Sequence, residues 1–160
     1  MAGGTRNVVV VGGGLCGGNA ALELCRLASD VHVTLISSEA HLPYQRPPLS
    51  KGFLRGTEPF EAALVAPRAE YERLGISLVL GRRVVRLDPE SRQILLEGDE
   101  VVSYDRALIA TGGRKRHLRF PGANREGVFD LRTVEDSERI KAAARAGRRV
   151  VVIGLGFIGC

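Results

Sequence analysis

The chain has 160 residues, 44% of them hydrophobic and 26% charged, with a net charge of +5. These values are typical of one globular domain with a buried core. The charge is not accompanied by a nucleic-acid-binding motif, which disfavours a nucleic-acid partner. Cys16, Cys25 and Cys160 form no C-x-x-C pair, so neither a disulfide framework nor a metal site is predicted. We find no signal peptide or membrane-spanning run, and we expect a cytoplasmic protein in a reducing environment.

The chain opens with a strand and a glycine-rich turn. Arg6–Val11 is predicted as a buried central strand, and a helix is predicted from Leu15 to Ala28. Glycines between them have the spacing G-x-G-x-x-G. The first permits a tight bend, the second lets backbone approach a pyrophosphate, and the third lets the helix pack closely on the strand. The helix N-terminus then faces the anion. The predicted phosphate-binding residues are Gly12, Gly14, Leu15, Cys16 and Gly17.

The helical pattern also predicts which side chains face the core. Inward positions are expected to include Leu15, Ala20, Leu24 and Leu27. Cys16 and Cys25 are interpreted as small packing residues.

An acidic residue follows the second strand. That strand is predicted over Val31–Ser37, and Glu39 lies 22 positions after Gly17. An acid about 20 residues beyond such a turn typically hydrogen-bonds a ribose hydroxyl. The carboxylate of Glu39 therefore favours an unphosphorylated adenosine ribose, as in FAD or NAD.

A stiff loop comes next. Three prolines within residues 43–48 forbid a regular helix there, and Ser50 is predicted to cap a short helix that begins at Lys51. A stiff loop costs little entropy to order, which suits a wall that holds Arg46 and Lys51 beside an anionic ligand. A rigid surface loop without a ligand is the alternative.

The remaining elements are short. A helix is predicted over Pro67–Leu74, and Thr133 is predicted to cap a helix that runs to about Ala146. Two hairpin turns, 88–91 and 97–99, separate three of the strands. The predicted strands are Ile76–Leu80, Arg83–Leu87, Gln93–Leu96, Val101–Ser103, Asp105–Thr111 and Arg148–Ile153.

A second glycine-rich turn lies at the end of the chain. Gly154, Gly156 and Gly159 repeat the G-x-G-x-x-G spacing after the strand predicted over Arg148–Ile153. A phosphate site of this kind needs the helix that follows the turn, because its free N–H groups bind the anion. Since Cys160 is the last residue, we expect a fragment of a longer enzyme.

These motifs resemble those of the FAD-dependent NAD(P)H reductases of the ferredoxin and rubredoxin reductase type, within the pyridine nucleotide-disulfide oxidoreductase superfamily. Besides the two glycine turns, the resemblance rests on the P-Y-x-R-P-P-L-S-K stretch at 43–51, on Ala110–Gly113, and on Leu131–Thr133 with Asp136. The motifs span nearly the whole chain in the expected order.

The resemblance implies an α/β fold in two incomplete domains. Residues 1–147 would form a Rossmann-like FAD-binding domain, with a parallel sheet and a small antiparallel meander. Residues 148–160 would begin an NAD(P)-binding domain. Lys51 would lie near the reactive flavin nitrogen and is the candidate catalytic residue. The FAD-binding residues implied beyond the first turn are Glu39, Arg46, Lys51, Val84, Thr111 and Gly112, and Gly154, Gly156 and Gly159 would bind NAD(P)H.

The activity implied by the resemblance is hydride transfer from NAD(P)H to FAD, followed by electron transfer to ferredoxin or a similar small acidic iron–sulfur protein. The basic run 114–119 would steer that partner, with a merely solvated loop as the alternative, and His117 has no assigned role. Disulfide reductases carry a C-x-x-x-x-C pair on the first helix, which is absent here. Enzymes that reduce coenzyme A disulfide or peroxide place a cysteine near positions occupied by Ala40 and His41.

Two other functions remain open, a non-catalytic nucleotide-binding module and a flavoprotein similar to apoptosis-inducing factor. As a fragment, the chain is expected to bind FAD weakly or not at all and to lack NAD(P)H turnover.

Overall fold

The computed structural model describes residues 4–144, 149–154 and 156–159. The chain divides into two units. The first, here the sheet unit, comprises Met1–Gln45 and Leu64–Gly112; the second, the helical unit, comprises Arg46–Ala63 and Gly113–Cys160. The domain boundary predicted between 147 and 148 lies outside the described residues and stays a prediction.

The described residues form seven strands, four α-helices and two 3-10 turns. The 3-10 turns are Pro47–Ser50 and Phe60–Ala63. The helices are α1 (Leu15–Leu27), α2 (Gly52–Arg55), α3 (Arg68–Arg73) and α4 (Val134–Ala143). The strands are β1 (Arg6–Val11), β2 (Val31–Ile36), β3 (Ser77–Val79), β4 (Val84–Asp88), β5 (Gln93–Leu96), β6 (Val101–Ser103) and β7 (Arg106–Ile109).

The sheet unit is built on a four-stranded parallel sheet in the order β3-β2-β1-β7. β1 pairs with β2 along its whole length and with β7 on its other side, which confirms its prediction as a central strand. β7 was predicted to be buried, and this is wrong: Ile109 is 57% exposed. Among the described residues no strand pairs with its outer side, so β7 is an edge strand.

The valines of β1 supply both sides of the core. Val8 and Val10 pack with residues of β2, α1 and α3, whereas Val9 and Val11 pack with Ile94 and residues of the neighbouring meander. Successive side chains of a strand point to opposite faces, and one uninterrupted apolar run can therefore fill two cores.

The meander is a second, antiparallel sheet in the order β4-β5-β6. Both predicted hairpin turns are present, the first at 89–92, one residue later than predicted. Each contains backbone with positive φ: Arg92 at 53° in the first, and Gly98 and Asp99 at 89° and 62° in the second. This sheet and the parallel sheet confirm the predicted α/β class.

The inward face predicted for α1 is wrong at Leu15 and Leu27, which are exposed. Its buried residues are Gly17, Gly18, Ala21 and Leu22, and Leu27, predicted inward, is 83% exposed. The glycines let the helix backbone approach β1 closely, so the face that carries them is turned to the sheet. Of the other predicted inward residues, Leu15 is exposed, Ala20 is half-buried and Leu24 packs at the edge of the core.

Two further predictions fail in the helical unit. Ser50 does not cap a helix: it ends the 3-10 turn and donates to the Pro47 carbonyl oxygen, while Lys51 occupies the cap position of α2. Of the strand predicted over Arg148–Ile153, the described residues 149–153 form no strand, and Val151 is 86% exposed. A β-strand needs a pairing partner, and none of the described strands provides one.

The predicted cap of α4 is confirmed. Thr133 accepts from the backbone of Asp136, and Asp136 accepts from the backbone of Thr133, which is a complete capping box. The helix ends at Ala143, earlier than predicted. Within the described part of the chain, no helix has the length and apolarity needed to cross a bilayer.

Candidate functional site

The first glycine turn lies at the carboxyl end of β1. Gly12 has φ of 121°, and a Cβ there would overlap the Ala110 carbonyl oxygen. A Cβ on Gly17 would overlap the carbonyl oxygen of Gly12 and lie 3.3 Å from Cγ1 of Val10. The bend and the close helix-to-strand packing therefore require glycine at both positions.

Gly14 differs from these two glycines. A Cβ on Gly14 would meet nothing within 4 Å, so the space beside it is open. This residue is the N-cap of α1, and no side chain caps the helix there. The first N–H groups of a helix have no partners inside it. Open space at the N-terminus of a 13-residue helix fits a pyrophosphate, because those N–H groups and the helix dipole favour an anion.

Glu39 lies on the same sheet edge, after β2. The Gly12 N–H donates to the Ile36 carbonyl oxygen at 2.8 Å, which holds the glycine turn against the end of β2. The hydroxyl of Tyr44 donates to the Glu39 carboxylate, and Tyr44 is fully buried. Tyr44 also forms a backbone bridge with Gly14. One buried residue thus connects the two predicted positions, with its backbone at the phosphate-binding turn and its side chain at the ribose-binding carboxylate.

Three other predicted residues lie in the sheet unit. The Gly81 N–H donates to the Glu39 carbonyl oxygen at 3.0 Å, and Val84 begins β4 three residues later. Thr111 and Gly112 follow β7, and the Ala110 N–H donates to the Val11 carbonyl oxygen at 2.8 Å. Both segments therefore flank the sheet edge that carries the glycine turn.

Arg46 and Lys51 lie in the helical unit, where they line a cavity of about 340 Å³. Arg132 lines the same cavity, and its carbonyl oxygen accepts from Arg46 Nη1 at 3.0 Å. Three cationic residues around one cavity suit an anionic or electron-rich ligand. The other lining residues are Pro47, Leu49, Ser50, Leu131, Phe157 and Ile158.

The second glycine turn, also in the helical unit, repeats the geometry of the first. Gly154 has φ of 106°. A Cβ on Gly159 would overlap the Gly154 carbonyl oxygen and lie 3.3 Å from Cγ1 of Val152, while a Cβ on Gly156 would meet nothing within 4 Å. The glycines of the two turns are therefore alike in their close approaches and in the open space beside the middle glycine, although among the described residues only the first turn follows a paired strand.

The basic run 114–119 is partly neutralised by internal partners. Lys115 Nζ lies 2.9 Å from Oδ1 of the buried Asp136. His117, to which the sequence assigned no role, has its Nδ1 2.6 Å from Oδ2 of Asp130. These pairs favour a structural role for part of the run.

The cysteines do not form a site among the described residues. Cys16 and Cys25 are free. Cys16 is exposed, so its interpretation as a packing residue is wrong, whereas Cys25 packs against the core and burial raises its thiol pKa. No cluster of metal-ligating side chains occurs in the part of the chain that the structure describes.

Comparison with known proteins gives the family. The family model for pyridine nucleotide-disulphide oxidoreductases matches residues 6–160. The chain belongs to this family. The chain is similar to a probable ferredoxin reductase of Castellaniella defragrans, 40% identical over 152 residues that cover 95% of this chain and 37% of the relative. Similar values hold for the ferredoxin–NAD(+) reductase component of a p-cumate 2,3-dioxygenase system of Pseudomonas putida: 40% identity, 95% of this chain and 38% of the relative.

A solved structure of the same kind matches the fold. In the covalent putidaredoxin reductase–putidaredoxin complex, one chain is 33% identical, with a TM-score of 0.84 over 98% of this chain and 38% of that chain. The present chain thus spans about two fifths of the length of these relatives. Membership of the family implies FAD and a nicotinamide dinucleotide as cofactors.

Two residues of the site were not singled out from the sequence. Tyr44 and Arg132 both fall inside motifs of the resemblance, but neither was given a role. The partner of Tyr44, Glu39, is five positions away across an irregular loop. Arg132 meets Arg46 across 86 positions. Neither contact has a periodic signature, although the tyrosine between Pro43 and a polar residue could have drawn attention as a buried hydroxyl in need of a partner.

Proposed function

We propose that this chain is the FAD-binding part of a ferredoxin-type reductase, which takes hydride from NAD(P)H and passes electrons to ferredoxin or a similar small acidic iron–sulfur protein. The observation that carries the proposal is the open space beside Gly14 at the N-terminus of α1, next to a carboxylate held by a buried tyrosine. The names of the relatives, ferredoxin reductases in both cases, support the electron acceptor.

In this proposal the sheet unit holds the adenosine diphosphate half of FAD. Gly12, Gly14 and Gly17 bring backbone and the N-terminus of α1 to the pyrophosphate, and the side chain of Glu39 accepts from a ribose hydroxyl. The hydroxyl of Tyr44 keeps that carboxylate in place. The remaining proposed contacts are Leu15, Cys16, Val84, Thr111 and Gly112.

The cavity of the helical unit is proposed to hold the flavin half. Bound flavin accepts two electrons as a hydride and can release them singly. Arg46, Lys51 and Arg132 would stabilise negative charge on that half. A single exposed cation contributes about 1 kcal/mol or less, so three cations around one cavity are needed for a substantial effect. Lys51, which is exposed here, is the proposed residue nearest to the reactive nitrogen.

Nucleotide binding tests the proposal directly. Purified chain is titrated with ADP and with FAD by calorimetry, in parallel with the variant Gly14→Val. We expect both ligands to bind the wild type weakly and neither to bind the variant, because the added side chain fills the open space. A wild type that does not bind ADP, or a Gly14→Val variant that binds ADP as well as the wild type does, would overturn the proposal.

The hydride step is tested separately by adding NADH to flavin-loaded chain under anaerobic conditions. We expect no loss of flavin absorbance at 1:1 loading, since residues 149–153 before the second turn are exposed and unpaired. Rapid bleaching would show that Gly154, Gly156 and Gly159 bind the nicotinamide dinucleotide without a paired strand.

A further inference from the structure

Two consecutive residues in the first turn of α4 hydrogen-bond to two segments that line the cavity of Arg46, Lys51 and Arg132. We propose that Asp136 and Ser137 are positioning residues, which hold Arg46, Lys51 and Arg132 in place for the anionic cofactor without touching it. The inference rests on the proposed function, because it assigns the flavin half of the cofactor to this cavity.

Asp136 holds the Arg132 side of the cavity. Its carboxylate is 3% exposed and accepts from the backbone N–H of Arg132 at 2.9 Å and of Thr133 at 3.1 Å. Lys115 donates to both of its oxygens, at 2.9 and 3.0 Å, and Arg139 donates to Oδ1. A buried carboxylate with this many donors is fixed in position, and it fixes the Arg132 backbone in turn.

The Arg132 backbone then orients Arg46. The Arg132 N–H is bound by Asp136, and its carbonyl oxygen accepts from Arg46 Nη1 at 3.0 Å. The backbone N–H and the carbonyl oxygen of Arg132 are thus both hydrogen-bonded. Movement of Asp136 would therefore shift the oxygen that accepts from Arg46.

Ser137 holds the other segment that lines the cavity, the turn Pro47–Ser50. Its side chain is fully buried, and its hydroxyl donates to the Leu49 carbonyl oxygen at 2.7 Å. Leu49 lies in the 3-10 turn Pro47–Ser50, which ends directly before Lys51. The bond therefore ties α4 to the turn that carries Lys51.

Helix capping alone does not account for these contacts. A capping box requires only the reciprocal bonds between Thr133 and Asp136. The bonds from Asp136 to the Arg132 N–H and from Ser137 to the Leu49 carbonyl oxygen lie outside the box, and both lead to residues that line the cavity.

The test compares Asp136→Asn and Ser137→Ala with the control Glu138→Gln, an exposed acid on the same helix. ADP and FAD are titrated separately, because ADP lacks the flavin half. We expect both test variants to bind FAD about tenfold more weakly, the loss expected for one removed bond to a buried polar group. Their ADP affinity should match the wild type, and the control should match it for both ligands.

A second readout does not depend on any cofactor. The Arg46 side-chain Nε–Hε resonance of arginine-labelled chain reports how firmly that guanidinium is held. We expect a sharp, slowly exchanging signal in the wild type and in Glu138→Gln. The signal should broaden in Asp136→Asn, through the Arg132 carbonyl, and in Ser137→Ala, through the turn that follows Arg46.

The outcomes separate the two proposals. Equal losses of ADP and FAD affinity would indicate general destabilisation and overturn the positioning role, as would an unchanged Arg46 signal. A wild type that binds ADP but not FAD would contradict the assignment of the flavin half to the cavity. A wild type that binds neither would remove the proposed function, and the Arg46 signal would then decide the positioning role alone.

Discussion

Two buried tyrosines of the sheet unit differ in what their hydroxyls do. The Tyr44 hydroxyl donates to Glu39. The Tyr71 hydroxyl has no partner within the described residues, and burial raises the pKa of Tyr71 to about 12. A buried polar group without a partner is destabilising, whereas a buried bond to a carboxylate is stabilising.

The Phe variants of these tyrosines should therefore change stability in opposite directions. We expect Tyr71→Phe to raise the free energy of unfolding by about 1 kcal/mol, because it removes a group that gains nothing in the folded state. Tyr44→Phe should lower it by about 1–2 kcal/mol and should also weaken ADP binding. Urea denaturation of the two variants measures the free energy of unfolding, and titration with ADP measures the affinity. Equal destabilisation by both changes would contradict it.

Alanine at the two later glycines of the first turn should separate folding from binding. At Gly14, φ of −90° suits any residue and the space is open, so Gly14→Ala should cost less than about 1 kcal/mol yet weaken ADP binding. Gly17→Ala would overlap the Gly12 carbonyl oxygen and should cost about 1–3 kcal/mol. Thermal melts with and without ADP compare them. A Gly14→Ala protein that still binds ADP normally would refute the proposed phosphate position.

At the scale of the element, the N-terminus of α4 should respond to pH through Asp136. Burial alone would raise the pKa of this carboxyl, but bonds from Lys115, the Thr133 backbone and Arg139 outweigh burial and leave the pKa lowered. A lowered pKa in the folded state stabilises the fold at pH above the unfolded value, about 3.9. That contribution is lost as pH falls through the folded value.

The free energy of unfolding should therefore differ between wild type and Asp136→Asn in a way that depends on pH. The wild type should be more stable at pH 7, and its advantage should shrink as pH drops below about 4. Urea unfolding of both proteins from pH 7 to pH 3 measures the difference, with Glu138→Gln as the control for a lost surface charge. An advantage that stays constant over this range would show that the charge of Asp136 does not contribute.

The bounds of a strand could be predicted well from the sequence where turn-forming residues mark its ends. β1, β5 and β6 have their predicted bounds, because valine-rich or alternating runs end in glycine or acidic turns. The buried face of α1 and the edge position of β7 could not be predicted in this way. The core face of α1 contains Gly17 and Gly18, which carry no hydrophobic signal, and the exposure of β7 depends on which strands pair beside it.

Only part of the candidate site could be predicted from the sequence. The glycine turn and Glu39 follow a spacing rule, and the structure brings them to one sheet edge. The cavity around Arg46 and Lys51 includes Arg132, which lies 86 positions after Arg46. The capping box of α4 was visible in the sequence, but its second use as a support for the cavity requires knowledge of what Leu49 and Arg132 contact.

For the molecule as a whole, the described residues expose one continuous apolar stretch. Residues 150–153 are all more than half exposed, with Val151 at 86%. Exposed β-branched runs of this kind promote association between chains. We expect Val151→Lys to reduce self-association, measured by light scattering against concentration, with little change in melting temperature. Leu27→Lys, which removes a single exposed leucine from α1, should leave association unchanged; equal effects of the two would contradict the explanation.

The second glycine turn brings its first and last glycines as close together as the first turn does. A Cβ on Gly159 would overlap the Gly154 carbonyl oxygen as one on Gly17 would overlap that of Gly12, although among the described residues no paired strand precedes the second turn. This close approach of the first and last glycines therefore does not require a paired strand before the turn. A nascent chain would then form the turn before its sheet has assembled. A synthetic peptide that contains the three glycines should likewise bring the first and third of them close together in water.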